Sequence, residues 1–299
     1  MALRKPSDAT FEAKHHFFEW CRQNNKTKFS LLITGKTGVG KSSLVNALVG
    51  KQVAGQRFQT ADKVIPYDVE HLEGVKVDVW DSPGLIDDND DDEGGAGKEK
   101  EYLAKIESEI TEELDVVILC LKMDDKRFHR DDKDTFKILT ETFGKKLWKN
   151  AVIALTFANK VEDPAGGNRE DYFEHDLANW REAIHTFLSN TLKLDPELVQ
   201  SLPLVPTGYY RPVSVLPNRI NWLSDFWKAC SNVAGNSAPF RLTRLKKDEE
   251  QPDSFWKKTW GTFKEYFCAF FSQVYWKIRA FVSQVYRTIR DVINTIFNG

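Results

Sequence analysis

Residues Gly35–Leu48 read GKTGVGKSSLVNAL and follow the apolar run Phe29–Thr34, FSLLIT. Gly35, Gly40, Lys41 and Ser42 satisfy the pattern G-x-x-x-x-G-K-[ST], and they lie where that pattern is meaningful, between a strand-like run and a helix-like one. Glycines let successive backbone N–H groups turn toward phosphate oxygens, and the N-terminus of the following helix adds the positive end of its dipole. Gly35, Lys36, Thr37, Gly38, Val39, Gly40, Lys41, Ser42 and Ser43 are therefore the candidate phosphate cradle. Lys41 is placed to neutralise β/γ-phosphate charge, and the Ser42 hydroxyl to ligate Mg²⁺.

Outward from the cradle, apolar runs alternate with amphipathic segments, the signature of a parallel sheet covered by helices. Strands are predicted at Phe29–Thr34, Val64–Glu70, Val75–Trp80, Val116–Leu121, Ala151–Phe157 and Leu204–Pro206. Leu72-Glu73-Gly74 reads as a hairpin turn, which makes one strand pair antiparallel. Helices are predicted at Ser7–Gln23, Lys41–Val49, Lys98–Glu113, Asp131–Phe143, Arg169–Leu192 and Ile220–Val233. The expected fold class is α/β, a three-layer domain with a mostly parallel sheet and helices on both faces, plus a C-terminal amphipathic helix.

The domain plan follows: an N-terminal helix in 1–28, the nucleotide domain in 29–234, a linker in 235–254 and a basic aromatic helix in 255–299. Between Asp87 and Glu93, DDNDDDE carries six acids in seven residues and reads as a solvated loop, continued by Gly94-Gly95-Ala96-Gly97. The segment GNSAPFRLTRLKKDEEQPDS, Gly235–Ser254, is polar with two prolines and reads as a linker.

A phosphate cradle alone does not choose its nucleotide, but further elements complete the site and bear on the choice. Asp81-Ser82-Pro83-Gly84 ends a predicted strand as D-x-x-G, where the carboxylate holds a Mg²⁺-bound water and the Gly84 N–H senses the γ-phosphate. Thr60, on a polar loop, is suited to bring its hydroxyl and carbonyl to the metal and the γ-phosphate. Asn159-Lys160-Val161-Glu162 follows the strand Ala151–Phe157 and approximates N-K-x-D, whose carboxylate accepts bonds from guanine N1–H and the exocyclic amine. Either Glu162 or the adjacent Asp163 fits that role. Thr207-Gly208 occupies the place of a further base-contacting loop.

Together GKTGVGKSSLVNALVG, VDVWDSPGLID and FGKKLWKNAVIALTFANKVED resemble the AIG1-type G domain of the immunity-associated GTPases and the chloroplast outer-envelope import receptor GTPases. The resemblance implies GTP and GDP with Mg²⁺ as cofactors and hydrolysis of GTP. It also implies pairing of two copies through their nucleotide faces, with an arginine in the loop after the fourth strand at that interface. Arg127 matches that position and Arg130 is the second candidate. Because Leu85, Ile86 and Asp87 follow D-S-P-G without a water-orienting glutamine, intrinsic hydrolysis is expected to be slow. The expected catalytic set is Lys41, Thr60, Gly84 and Arg127, and the metal set Ser42, Thr60 and Asp81. The alternatives are a self-assembling, septin-like scaffold with little turnover, and an ATP-using P-loop protein, which Asp81–Gly84 and Asn159-Lys160 disfavour.

The remaining features bound the setting. The 299 residues carry a formal charge of −2, which gives no global reason to expect nucleic acid. The four cysteines, Cys21, Cys120, Cys230 and Cys268, form no CxxC pair, so neither a zinc site nor a disulfide framework is expected. No leader-like or spanning apolar segment is read, so the expected location is cytoplasmic. From Trp256 apolar residues recur through Trp260, Phe263, Phe267, Phe271, Val274, Ile278, Phe281, Val285, Ile289, Val292 and Ile296, steps of three and four that average the α-helical period. Seven basic residues against two acidic ones after Ser254 make this a cationic amphipathic helix. Its stripe suits an anionic membrane surface through 255–297, or packing on the domain or a partner.

Overall fold

In the computed structural model the described residues are 6–50, 54, 64–72, 74–85, 95–125, 127–208, 216–219 and 221–245. Strand β1 (Lys28–Thr34) is buried along its length after Lys28, because helices cover both faces of the sheet it centres. It pairs in parallel with β3 (Val75–Asp81) on one side and β4 (Val116–Lys122) on the other. Beyond β4 come β5 (Ala151–Thr156) and β6 (Leu204–Pro206), both parallel. At the opposite edge β2 (Ile65–Leu72) runs antiparallel to β3, giving the order β2-β3-β1-β4-β5-β6. The turn between β2 and β3 depends on Gly74 at φ 81, a left-handed conformation that a side chain disfavours. The mostly parallel sheet with one antiparallel edge strand is the arrangement expected from the sequence.

Helices α1 (Pro6–Gln23), α2 (Lys41–Val49), α3 (Gly95–Glu109), α4 (Arg130–Phe143), α5 (Arg169–Asn190), α6 (Pro196–Ser201) and α7 (Trp222–Asn236) complete the domain. The core joins α1 and α7 to the sheet through aromatic rings. Phe17 lies 4.5 Å from Trp227 and 4.8 Å from Phe29, centroid to centroid. Such edge and tilted contacts add to the apolar burial of each ring.

Three local differences from the sequence reading have physical causes. Helix α3 begins within the glycine run, at Gly95, and stops at Glu109, short of the predicted Glu113. Glu112 leaves the helix because its carboxylate is the acceptor for Lys28, the Ser30 hydroxyl at 2.7 Å and the Trp80 indole at 2.8 Å. Asp115, three residues on, accepts from the Ser30 N–H and from Lys26. Helix α6 is not among the predicted elements, although Asp195 caps it and Pro196 opens it, both ordinary start signals.

The first half of the predicted linker is not a free tether. Phe240 exchanges both backbone hydrogen bonds with Leu114, Asn150 donates to the Ala238 carbonyl, and Leu242 is buried. Arg244 pairs with Glu107, and the Leu245 N–H donates to the Thr142 carbonyl. The partners of this polar segment are distant in sequence, 88 residues in the case of Asn150 and Ala238, which is why composition reads it as a linker. The acidic stretch 87–93, Thr60 and the helix read in 255–299 lie outside the described residues. Among the described residues no helix is long and apolar enough to cross a membrane.

Candidate functional site

The C-terminal ends of β1, β3, β4 and β5 converge, which is where open α/β sheets gather their ligands. Strand β1 delivers the chain into Gly35, and α2 starts at Lys41 with Gly40 as a left-handed N-cap and no side-chain cap. The first-turn N–H groups of α2 are thus the donors that a phosphate takes. Gly40 is required twice over: its φ is 87, and a Cβ there would stand 2.9 Å from the Phe157 ring. Lys41 is buried, with its Nζ donating to the carbonyls of Gly35 at 3.1 Å and Lys36 at 2.8 Å. These carbonyls curl the loop around the ammonium group.

Asp81, at the end of β3, faces Ser42 with 3.5 Å between Oδ2 and the hydroxyl. Burial pushes its carboxyl up to about 6, against the opposing pull of the Lys41 charge and the Ser42 hydrogen bond. Its Oδ1 is buried with no hydrogen-bond partner among the described residues. A carboxylate oxygen left unsatisfied beside a serine hydroxyl is the oxygen-rich, partly assembled shell that suits Mg²⁺. The following residues fold back on the cradle: Leu85 N–H donates to the Gly35 carbonyl, and Lys36 and Leu85 form a parallel bridge. Gly84 passes so close to Thr37 that a Cβ would sit 2.7 Å from its Cα. Asp81, Gly84, Lys41 and Ser42 are therefore brought together in the fold.

The predicted base loop is arranged differently from its sequence reading. Thr156 closes β5 with its hydroxyl within hydrogen-bond reach of the Val39 and Leu121 carbonyls, so it bolts this loop to the cradle. Phe157 follows at φ 56, an uncommon conformation for a bulky residue, with its ring against Gly40. The Lys160 ammonium lies 4.6 Å from the Phe157 centroid and 3.9 Å from Asp124. Asn159 Oδ1 is buried without a hydrogen-bond partner among the described residues, while its carbonyl accepts from Arg169 at 2.6 Å. Asp163 is engaged by its own turn, accepting from the N–H groups of Ala165 and Gly167, whereas Glu162 is exposed. Thr207 meets the loop, its carbonyl accepting from the Ala158 N–H at 3.0 Å.

Thr156 and Phe157 escape a sequence reading because the motif match at Asn159-Lys160 draws attention past them. A polar residue closing an otherwise apolar strand, immediately before an aromatic, is the signal that could have found them.

Arg127 is exposed on the short loop between β4 and α4. Arg130, the other candidate, opens α4 and lies 3.5 Å from Asp134 one turn along. Neither reaches the cradle of its own chain by any ion pair or hydrogen bond among the described residues.

With this geometry in place, likeness to known proteins is informative. The chain is 28% identical to the translocase of chloroplast 34 homolog of Chlamydomonas reinhardtii over 68% of its own length and 53% of that protein's. It thus spans about half the length of that relative. Toc33 from Arabidopsis thaliana, solved in complex with GDP and Mg²⁺, superposes with a TM-score of 0.64 at 24% identity, covering 79% of this chain and 95% of that one. For the chloroplast translocon components atToc33 and psToc159 dimerisation is important for GTPase activity; a structure solved for that system superposes with a TM-score of 0.63 at 26% identity over 77% and 92% of the two chains. The fold is that of these translocon G domains. Residues 29–191 match the AIG1 family, more than half of the chain, and the chain belongs to that family.

Proposed function

We propose that this protein is a GTP-binding switch that hydrolyses GTP to GDP and phosphate slowly alone, and faster when two copies pair through their nucleotide faces. The observation that carries the reading is the unsatisfied, buried Asp81 Oδ1 beside Ser42, at the mouth of a cradle whose lysine is already turned inward. Bound Mg²⁺ would be held by Ser42 and, through water, by Asp81, with Thr60 joining in the triphosphate state, and would supply charge neutralisation on the β- and γ-phosphates.

The chain's own residues account for the rest. Lys41 moves from the Gly35 and Lys36 carbonyls to phosphate oxygens, exchanging neutral acceptors for charged ones. Gly84 N–H donates to the γ-phosphate and lies against Thr37, so its position reports whether that phosphate is there. Leu85, the residue after Gly84, is fully buried and has no polar group, so no side chain at that position orients water and the solitary rate is low. The exposed Arg127 stands apart from the cradle of its own chain and is suited to reach that of a second copy, where positive charge stabilises the departing phosphate. Guanine is the favoured base, read by the loop from Thr156 to Asp163 with Asn159, Lys160 and Glu162 as its candidate contacts. The importance of dimerisation for the GTPase activity of atToc33 and psToc159 supports the pairing.

Turnover per molecule is expected to rise with protein concentration, and Arg127→Ala to abolish that rise. A rate independent of concentration would instead leave a nucleotide-binding scaffold. We place the switch at a membrane surface through 255–297, on the strength of the cationic aromatic stripe in its sequence. Cosedimentation with anionic liposomes should be lost in a chain ending at Ser254; retained binding in that chain would refute the anchor.

A further inference from the structure

We infer that Asp131 is a positioning residue that couples the phosphate cradle to the loop carrying Arg127, through its ion pair with Lys36. This rests on the arginine-assisted dimer reading above and assigns it a device within each subunit.

Lys36 touches three parts of the site at once. Its carbonyl accepts from Lys41 Nζ, its backbone is bridged to Leu85 after D-S-P-G, and its Nζ lies 3.4 Å from Asp131 Oδ2 in the first turn of α4. The Lys36 side chain is 12% exposed and Asp131 40%, so the ammonium is mostly shielded from water and the pair is screened less than one on an open surface.

Asp131 stands on a rigid root. His129 N-caps α4 and its N–H donates to Asp132 at 3.1 Å, closing a capping box. Phe128, one residue before, is buried with its ring 5.6 Å from Phe136 and 5.4 Å from Phe187. Arg127 is attached directly to this anchored pair, with its own side chain in solvent. When Lys41 leaves the Lys36 carbonyl for phosphate, the Lys36 peptide loses that restraint and shifts, and the Lys36–Asp131 pair carries the shift to the start of α4. A charge pair joining the cradle directly to the start of α4 is a contiguous link of the kind through which sites couple.

The test uses the full chain and four proteins: wild type, Asp131→Asn, Asp131→Glu and Asp134→Asn. Asp134 pairs with Arg130 and Lys137 on the same helix rather than with the cradle, so it controls for general loss of charge on α4. Turnover is measured against concentration, dimerisation by sedimentation, and nucleotide affinity by displacement of a fluorescent GDP analogue. Asp131→Asn should keep the dilute rate, the dimer affinity and the GDP affinity, while the gain in turnover on pairing falls about 5-fold. Asp131→Glu should regain at least half of that gain, and Asp134→Asn should match wild type.

An undiminished gain in Asp131→Asn overturns the coupling and leaves the dimer reading intact. A parallel fall in GDP affinity overturns it differently, by making Asp131 a support of the cradle itself. A wild-type rate that is flat with concentration overthrows both readings together.

Discussion

The phosphate cradle and the base loop lie side by side at the C-terminal ends of the strands, yet only the first can be read residue by residue from the sequence. The cradle works through backbone N–H groups, so it demands glycines at fixed spacing and a helix start, and these demands leave a written pattern from Gly35 to Ser42. The base loop works through side chains placed by their surroundings. Its key fixtures, the Thr156 hydroxyl on the Val39 carbonyl and the Phe157 ring on Gly40, are contacts between residues 117 positions apart.

The largest effect should come from the cradle's inward-turned charge. Lys41→Ala removes the inward ammonium and with it two or more charge-assisted bonds to phosphate, and GDP affinity should fall about 100-fold. If a fluorescent GDP analogue binds the variant within a few-fold of wild type, the backbone donors alone hold the nucleotide and the contrast with the base loop deepens.

Next comes the pH response of Asp81. Its folded carboxyl is raised to about 6 while its unfolded value is about 3.9, so the protonated form is the one that the fold favours. The nucleotide-free protein should therefore gain stability as pH falls through 6 toward 4, by up to about 2–3 kcal/mol, and lose that increment as pH rises through 6. Denaturant titrations of wild type and Asp81→Asn at pH 5 and 7 check the sign, because the variant should lack the difference. Mg²⁺ affinity in the presence of nucleotide should move the opposite way, weakening below pH 6 as the carboxylate is lost.

Thr156→Val probes the bolt between the two regions. It deletes the hydroxyl that reaches two buried carbonyls, and stability should fall by about 1–3 kcal/mol in denaturant unfolding. Phosphate affinity should be less affected than base discrimination, since the cradle's own hydrogen bonds persist. Equal losses for GDP and inorganic pyrophosphate would mean that Thr156 supports the cradle rather than the base loop.

The same distinction governs what is legible elsewhere. Strand β4 and helix α2 match their predicted bounds to within a residue at each end, because burial on both faces and the glycine-lysine start are local facts. The end of α3 and the docking of Ser237–Leu245 do not, because Glu112 is drawn off by Lys28, Ser30 and Trp80, and Phe240 by Leu114. In each case a distant partner outweighs a local preference, as tertiary pairing does when propensities differ by under about 1 kcal/mol. Of the candidate site, Lys41, Ser42, Asp81 and Gly84 lie together in the fold, whereas the contacts that fasten the Asn159-Lys160 loop, at Thr156 and Phe157, are not written in its motif.

The smallest expected effect sharpens the base loop itself. Glu162 and Asp163 are equal candidates for the guanine contact by sequence, but both oxygens of Asp163 are engaged by the N–H groups of Ala165 and Gly167. Turning that carboxylate to a base would leave two turn donors seeking water and open the loop before α5. Asp163→Asn keeps one acceptor for the turn, so GDP affinity should change by less than about 3-fold, and stability by under about 1 kcal/mol at this partly exposed site. Glu162 is exposed and carries no such duty, so Glu162→Gln should lower the preference for GDP over IDP, which lacks the exocyclic amine, by a larger factor than Asp163→Asn does. If the Asp163 variant has the stronger effect on that ratio, its turn must unwind when the nucleotide binds, and the base loop would then be as much a moving part as the cradle.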